Sequence, residues 1–398
     1  MHHGNSEGET AMKRLMWFGW RALMFLALAA AALALWKRQE IARLLAVNSL
    51  FSENRIVVNF SSMDSIFPNR RMQRGDAPPS PLPRGTPVRL PDAVDNWIRA
   101  RNVTALVVLK DGRIVADDYF LGTGPDDLRI SWSVAKSWLS ALFGILLEEG
   151  AIGSLDDPVT GYVPELRGSA YEGATIRNVL NMASGIAFNE DYLDYHSDIN
   201  RMGRVLALGG SMDAFATGQN RRRDEPGRSW LYVSIDTHVI GMVIRGATGR
   251  SIPELMEEKL IVPMGLEKAP YYITDGKGVA FVLGGLNMTT RDYARLGLMF
   301  LQDGELNGRR IVPRAWVAAS TAPSAPTEPG AEQYGYQWWL PADAAEGEFF
   351  ARGIYGQYVY VNRPRGVVIA VNAADRGFRE EGVAEQNIAM FRQIADAL

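Results

Sequence analysis

From Leu15 to Trp36 the chain is apolar except for Arg21, with an unbroken apolar core from Ala22 to Trp36. Taken with Trp17 to Trp20, this stretch reaches the ~20 residues that a bilayer-spanning helix needs. The helical pattern continues through Lys37 to Leu50. That continuation favours an uncleaved anchor over a cleaved leader processed near Ala27-Leu28-Ala29, and over a buried amphipathic helix. Lys13, Arg14 and Arg21 before the core are matched by Lys37, Arg38 and Arg43 after it, so charge leaves the orientation open. Pro-rich punctuation, Pro78-Pro79-Ser80-Pro81-Leu82-Pro83, marks residues 51–90 as an arm or linker.

A short amphipathic helix is predicted over Pro91 to Ala100. Val103 to Lys110, the turn Asp111-Gly112 and Arg113 to Tyr119 then give a β-hairpin pattern. Helical spacing follows from Trp138 to Leu147, over Ile176 to Met182, over Asp236 to Ala247 (stopped by Gly249) and over Thr290 to Leu301, which opens on a capping sequence. The β pattern returns at Tyr336 to Leu340, Phe349 to Arg352, Gln357 to Asn362 and Val367 to Asn372, and Glu380 to Leu398 closes the chain as an amphipathic helix. This order predicts an α+β fold: one antiparallel sheet formed from both chain ends and flanked by helices, with an inserted helical subdomain over about 133–320. The expected organisation is a tail and anchor helix over 1–50, the arm over 51–90 and one folded domain over 91–398.

Composition removes several chemistries. The 398 residues carry a formal charge of −3, which offers no general footprint for nucleic acid. With no cysteine there is no disulfide, zinc thiolate or cysteine nucleophile. Of four histidines two, His2 and His3, lie in the polar N-terminal tail. Neither His196 nor His238 accompanies a Gly-x-Ser-x-Gly elbow. A serine nucleophile here needs a base other than histidine, and no metal or other cofactor is implied.

One stretch supplies such a base. In Ser131-Trp132-Ser133-Val134-Ala135-Lys136-Ser137-Trp138, Ser133 and Lys136 fall one turn apart on the same face of a helix start, beside unsatisfied backbone N–H groups. It is the only Ser-x-x-Lys in the chain. The bland reading is a Ser N-cap followed by a surface lysine. A second signal is Pro226-Gly227-Arg228-Ser229-Trp230-Leu231-Tyr232-Val233-Ser234, just before a helix. Tyr195-His196-Ser197 and Tyr360-Val361-Asn362 share its Tyr-x-Ser/Asn spacing, but the Pro-Gly turn and the following helix select Tyr232 over a merely buried tyrosine.

These stretches, with Thr175-Ile176-Arg177-Asn178-Val179-Leu180-Asn181-Met182-Ala183-Ser184-Gly185 and Gly284-Gly285-Leu286-Asn287-Met288-Thr289-Thr290-Arg291-Asp292-Tyr293-Ala294-Arg295-Leu296-Gly297, resemble the serine β-lactamase-like family, in its class C β-lactamase, DD-peptidase and esterase branch. The nearer resemblance is to its 6-aminohexanoate-dimer (nylon-oligomer) hydrolase group, from about residue 95 to the C-terminus. The third family motif departs: Ala351-Arg352-Gly353-Ile354 stands where Lys-Thr-Gly or His-x-Gly is expected. The carboxylate-binding lysine is therefore absent. Arg352 is a candidate substitute, although it sits at the threonine's position, and Gly353 leaves room for substrate to approach the strand.

The resemblance implies a serine hydrolase of a small amide or ester. Ser133 is the expected nucleophile, Lys136 and Tyr232 share the proton relay, and the backbone N–H groups of Ser133 and Ile354 form the oxyanion hole. Burial is expected to lower the lysine, and a neighbouring cation the tyrosine; which of the two is the acylation base stays open. Ser234 is expected to orient Lys136, Asn287 and Tyr192 to contact substrate, and Trp338 and Trp339 to line the pocket. The partners expected are the small-molecule substrate and a membrane held by the N-terminal helix, with the catalytic domain on the periplasmic or extracytoplasmic side. Alternatives are a β-lactamase or DD-peptidase, and a penicillin-recognising-type binding protein without turnover.

Overall fold

A computed structural model describes residues 5–398 and divides the chain into a unit ending at Asn48 and a compact body from Ser49 to Leu398. The first unit is two helices, α1 (Asn5–Trp36) and α2 (Arg38–Asn48). Within α1, the 24 residues Lys13–Trp36 are long and apolar enough to cross a membrane and are wholly exposed. Burying this apolar surface is favourable in lipid or against a protein partner.

The body begins with α3 (Ile56–Phe60), α4 (Met63–Ile66) and β1 (Asn69–Arg71). These lie in the segment expected as a linker, and the structure corrects that expectation. Ile56, Phe60, Met63, Phe67 and Met72 are buried, β1 pairs with β5 (Tyr271–Ile273), and the buried Arg295 donates to the Ser80 carbonyl at 2.7 Å. The prolines shape a segment that packs onto the body and contributes a strand to it.

After α5 (Asp92–Ala100) come β2 (Val103–Lys110), β3 (Arg113–Tyr119), β4 (Arg129–Ile130) and α6 (Val134–Glu148). A small sheet joins β1, β5, β6 (Leu286–Met288) and β4 in that order, and a two-stranded ribbon, β7 (Glu305–Leu306) with β8 (Arg309–Arg310), lies further on. The remaining strands are β9 (Gln333–Tyr334), β10 (Trp339–Leu340), β11 (Glu348–Gly353), β12 (Gln357–Asn362) and β13 (Val367–Ala373). They complete a seven-stranded antiparallel sheet ordered β3-β2-β13-β12-β11-β10-β9, so the first hairpin pairs with the last strand, Lys110 opposite Val367.

Side chains alternate across this sheet. On one face the helix Thr290–Leu301 lies so close that a Cβ on Gly297 would sit 2.4 Å from Val368 Cγ1 and 2.9 Å from Val359 Cγ1. On the other, Tyr358 and Tyr360 meet Phe391 of the terminal helix Val383–Asp396, with ring centroids 5.2 and 5.5 Å apart. The stretch expected as an inserted helical subdomain therefore includes a helix that belongs to the sheet's own layer. α6 is apolar all round, as an interior helix is, and is buried from Val134 to Leu146. Its Ser137 and Ser140 hydroxyls donate to the Gln337 and Tyr336 carbonyls, both at 2.7 Å. The remaining polar side chain of this buried stretch, Lys136, faces the site.

Candidate active site

Ser133 occupies the N-cap position of α6, and Trp132 before it is held at φ 43°. A side chain in this left-handed region costs roughly 1–3 kcal/mol and persists only where its surroundings over-determine it. One turn on, Lys136 Nζ lies 3.2 Å from Ser133 Oγ and donates to the Leu283 carbonyl at 2.7 Å. Lys136 is 1% exposed. Loss of hydration pushes its ammonium down to about 7, against the opposing pull of the Glu190 and Asp236 carboxyls. An amine of this kind is a competent base near neutrality.

Tyr232 leads into the helix Ser234–Thr248, and its hydroxyl interacts with that of Ser133. Its ring stacks on Trp339 at 5.1 Å and lies 5.6 Å from Lys136 Nζ. The expected lowering of this phenol is not what the site produces. Burial outweighs both the Ser133 interaction and the Arg352 cation, so Tyr232 is pushed up and stays protonated.

Behind this trio stand acids that the sequence reading missed. Glu190 accepts from the Ser234 backbone N–H, and its carboxyl interacts with the side chains of Ser234 and Tyr192. Burial raises its pKa. Asp236 accepts from the Tyr171 hydroxyl at 2.7 Å and the Ser184 hydroxyl at 2.9 Å, and burial pushes it up to about 7. Ser234 was expected to orient Lys136; its side chain serves the Glu190–Tyr192 network, while the Leu283 carbonyl holds the amine.

The end of β11 closes the other side. A Cβ on Gly353 would lie 2.6 Å from the Ser131 carbonyl oxygen and 3.0 Å from the Ser133 nitrogen, so only glycine lets this strand reach the start of α6. Ile354 follows, and the turn then passes through Tyr355 at φ 60° and Gly356 at φ 84°. Gln357 fastens it, its side-chain amide donating to the carbonyls of Ile354, Tyr355 and Ala373 at 3.3, 3.1 and 2.7 Å.

A cavity of about 500 Å³ opens here, with Ser133, Tyr192, Tyr232, Trp339, Arg352, Gly353 and Ile354 in its wall. Arg352 does reach it, but as one half of an ion pair: both terminal nitrogens bond Glu332, at 2.9 and 2.8 Å, and the guanidinium lies 4.0 Å from the Trp339 ring centroid. Two expectations are corrected. Trp338 points the opposite way from Trp339 and is core, packed against Phe300 at 4.5 Å and Phe349 at 5.3 Å. Asn287 lies on β6, fully buried, with its amide donating to the Gly285 carbonyl at 2.9 Å. It is not among the residues of the cavity wall.

The family model described as Beta-lactamase matches residues 94–391, and the chain belongs to that family. Within it, the chain is 29% identical over 333 residues to the 6-aminohexanoate-dimer hydrolase of Paenarthrobacter ureafaciens, covering 79% of this chain and 84% of that protein. Among solved structures, a Bacillus anthracis protein assigned as a 6-aminohexanoate-dimer hydrolase superposes with a TM-score of 0.75, at 21% identity, over 87% of this chain and 95% of that one. The octameric penicillin-binding protein homologue of Pyrococcus abyssi does so at 0.61, with 22% identity, over 75% and 76% of the two chains. At these identities the structural likenesses speak to the fold, which is the β-lactamase/transpeptidase-like α+β arrangement.

Proposed function

We propose that this protein is a serine hydrolase that cleaves a small amide or ester through an acyl-enzyme. The observation that carries the reading is Lys136 Nζ, buried and 3.2 Å from Ser133 Oγ. A hydroxyl is a weak nucleophile until a base removes its proton. Neutral Lys136 takes the Ser133 proton as Oγ attacks the carbonyl carbon. The N–H groups of Ser133 and Ile354 receive the developing oxyanion, a contribution of roughly 3–4 kcal/mol per donor. Tyr232, kept protonated by burial, gives its proton to the departing amine or alcohol and regains one from Lys136. Water then retraces the path: its proton passes by way of Tyr232 to Lys136, which returns it to Ser133 Oγ as the acyl–oxygen bond breaks and the acid departs.

The relative named as a 6-aminohexanoate-dimer hydrolase supports an amide substrate. A β-lactamase or DD-peptidase is the second reading. The Arg352–Glu332 pair speaks against it, because the cation in the cavity wall is already neutralised. The exposed span Lys13–Trp36 supports a membrane tether that leaves the body in the aqueous phase.

The test is intact-protein mass after exposure to a fluorophosphonate, followed by turnover of aminohexanoate dimer, nitrophenyl esters and a chromogenic cephalosporin. One adduct per chain, lost in Ser133→Ala, and hydrolysis of the amide or ester are expected. Equal labelling of Ser133→Ala would sink the assignment, and turnover of the cephalosporin alone would favour the second reading.

A further inference from the structure

The proposed oxyanion hole is flanked by two residues held at positive φ, Trp132 just before Ser133 and Tyr355 just after Ile354. Neither is glycine, so each conformation stores strain that its neighbours must hold in place. Those neighbours come from the N-terminal segment of the body. Phe51 stacks on Tyr355 at 4.8 Å with rings 10° from parallel, and its centroid lies 5.8 Å from that of Trp132. Phe60 sets its edge against both, 5.5 Å from Trp132 and 5.4 Å from Tyr355. Two phenylalanines thus each touch both strained residues.

The segment that presents them is itself fixed. Asn59 donates its side-chain amide to the carbonyls of Ser49 and Leu50, both at 3.1 Å, closing the loop on which Phe51 sits. Leu50, Ile56 and Phe60 are buried. The aromatic contacts also run on into the cavity: Tyr355 meets Phe378 at 4.7 Å, and Phe378 meets Tyr192 at 6.4 Å. Phe51 and Phe60 lie outside residues 94–391, which the family model matches.

We infer that Phe51 and Phe60 are positioning residues, clamping Trp132 and Tyr355 so that the backbone N–H groups of Ser133 and Ile354 converge on one oxygen. The inference rests on the acyl-enzyme reading above. It makes the N-terminal segment part of the working site. Removing the Phe51 ring leaves Lys136 and its surroundings untouched and loosens both donors at once. The loss falls on the step in which negative charge gathers on the carbonyl oxygen.

The experiment compares the full chain with Phe51→Ala and Phe51→Tyr. It reads the thermal midpoint, the rate of fluorophosphonate labelling from pH 5 to 9, and kcat and KM on p-nitrophenyl acetate. In Phe51→Ala, labelling and kcat are expected to fall ~10-fold or more, the scale of a misaligned oxyanion donor. KM should stay within about twofold of the parent and melting within about 5 °C. The pH midpoint of labelling should not move, and Phe51→Tyr, which keeps the stack, should restore the rate. If Phe51→Ala does not melt cooperatively, Phe51→Leu, which keeps bulk and loses the stack, carries the same comparison. A folded variant with parental kcat, a loss confined to KM, or a shifted pH midpoint overturns the positioning role. A parent that takes up no label overturns the acyl-enzyme reading itself, whereas a labelled parent matched by Phe51→Ala removes only the clamp.

Discussion

Lys136 Nζ lies 3.2 Å from Ser133 Oγ with the Leu283 carbonyl 2.7 Å behind it, so the amine is aimed as well as buried. Lys136→Met should therefore keep the fold and lose the base. Fluorophosphonate labelling of Ser133 is expected to slow by two orders of magnitude or more, the usual range for a general base being ~10²–10⁴. Mass spectrometry of timed samples measures this directly; labelling at the parental rate would remove Lys136 from the relay.

Because burial brings Lys136 down to about 7, acylation needs the enzyme deprotonated at that group. The labelling rate should rise with pH and level off above a midpoint near 7. Asp236, one of the carboxyls that raise Lys136, is itself pushed up to about 7 by burial. Asp236→Asn is expected to move the labelling midpoint to lower pH.

The same substitution has a stability signature whose sign follows from proton counts. Asp236 titrates near 7 folded against 3.8 for the free side chain, so between those values the folded state holds the extra proton. Stability contributed by this group is thus complete below about pH 4 and is lost as pH rises towards 7. Asp236→Asn should gain in thermal midpoint relative to the parent at pH 8 and show no such gain at pH 4. Melting curves at the two pH values decide it.

Gly353→Ala tests the close approach of β11 to α6. The added methyl would meet the Ser131 oxygen at 2.6 Å, and relief of that clash must part the strand from the helix. A stability loss of about 1–3 kcal/mol is expected from overpacking. Labelling should fall further than that loss accounts for, measured in variants shown folded by circular dichroism.

Glu332→Gln should uncover the Arg352 cation. KM for a chromogenic cephalosporin, whose carboxylate needs a positive partner, is expected to drop several-fold with little change on a neutral ester. Unchanged steady-state kinetics on both substrates would mean that the ion pair does not shape specificity.

Much of this architecture is written in local patterns. Runs of β-branched, aromatic and other apolar residues in Val103–Lys110, Gln357–Asn362 and Val367–Asn372 mark strands whatever their partners, and the three-residue step from Ser133 to Lys136 places two groups on one helix face. Other parts have no such signature. Leu283 acts through its carbonyl, which every residue owns, and Glu190 is one acid in a polar loop until the fold buries it against Lys136. Residues 51–90 carry the proline pattern of a linker, while the buried Ile56, Phe60, Met63, Phe67 and Met72 have a spacing that fits no single element. Nothing local separates Trp338 from Trp339, yet adjacent positions on an extended chain face opposite ways, and Trp338 is the one that packs in the core.

The join between Lys110 and Val367 also sets a schedule. In a growing chain the hairpin of β2 and β3 is made long before β13, the strand that β2 pairs with on its other side. The seven strands close only once Val367 to Ala373 have been made. A product halted before Val367 keeps Ser133 and Lys136 in its sequence and lacks the strand that joins the first hairpin to β12.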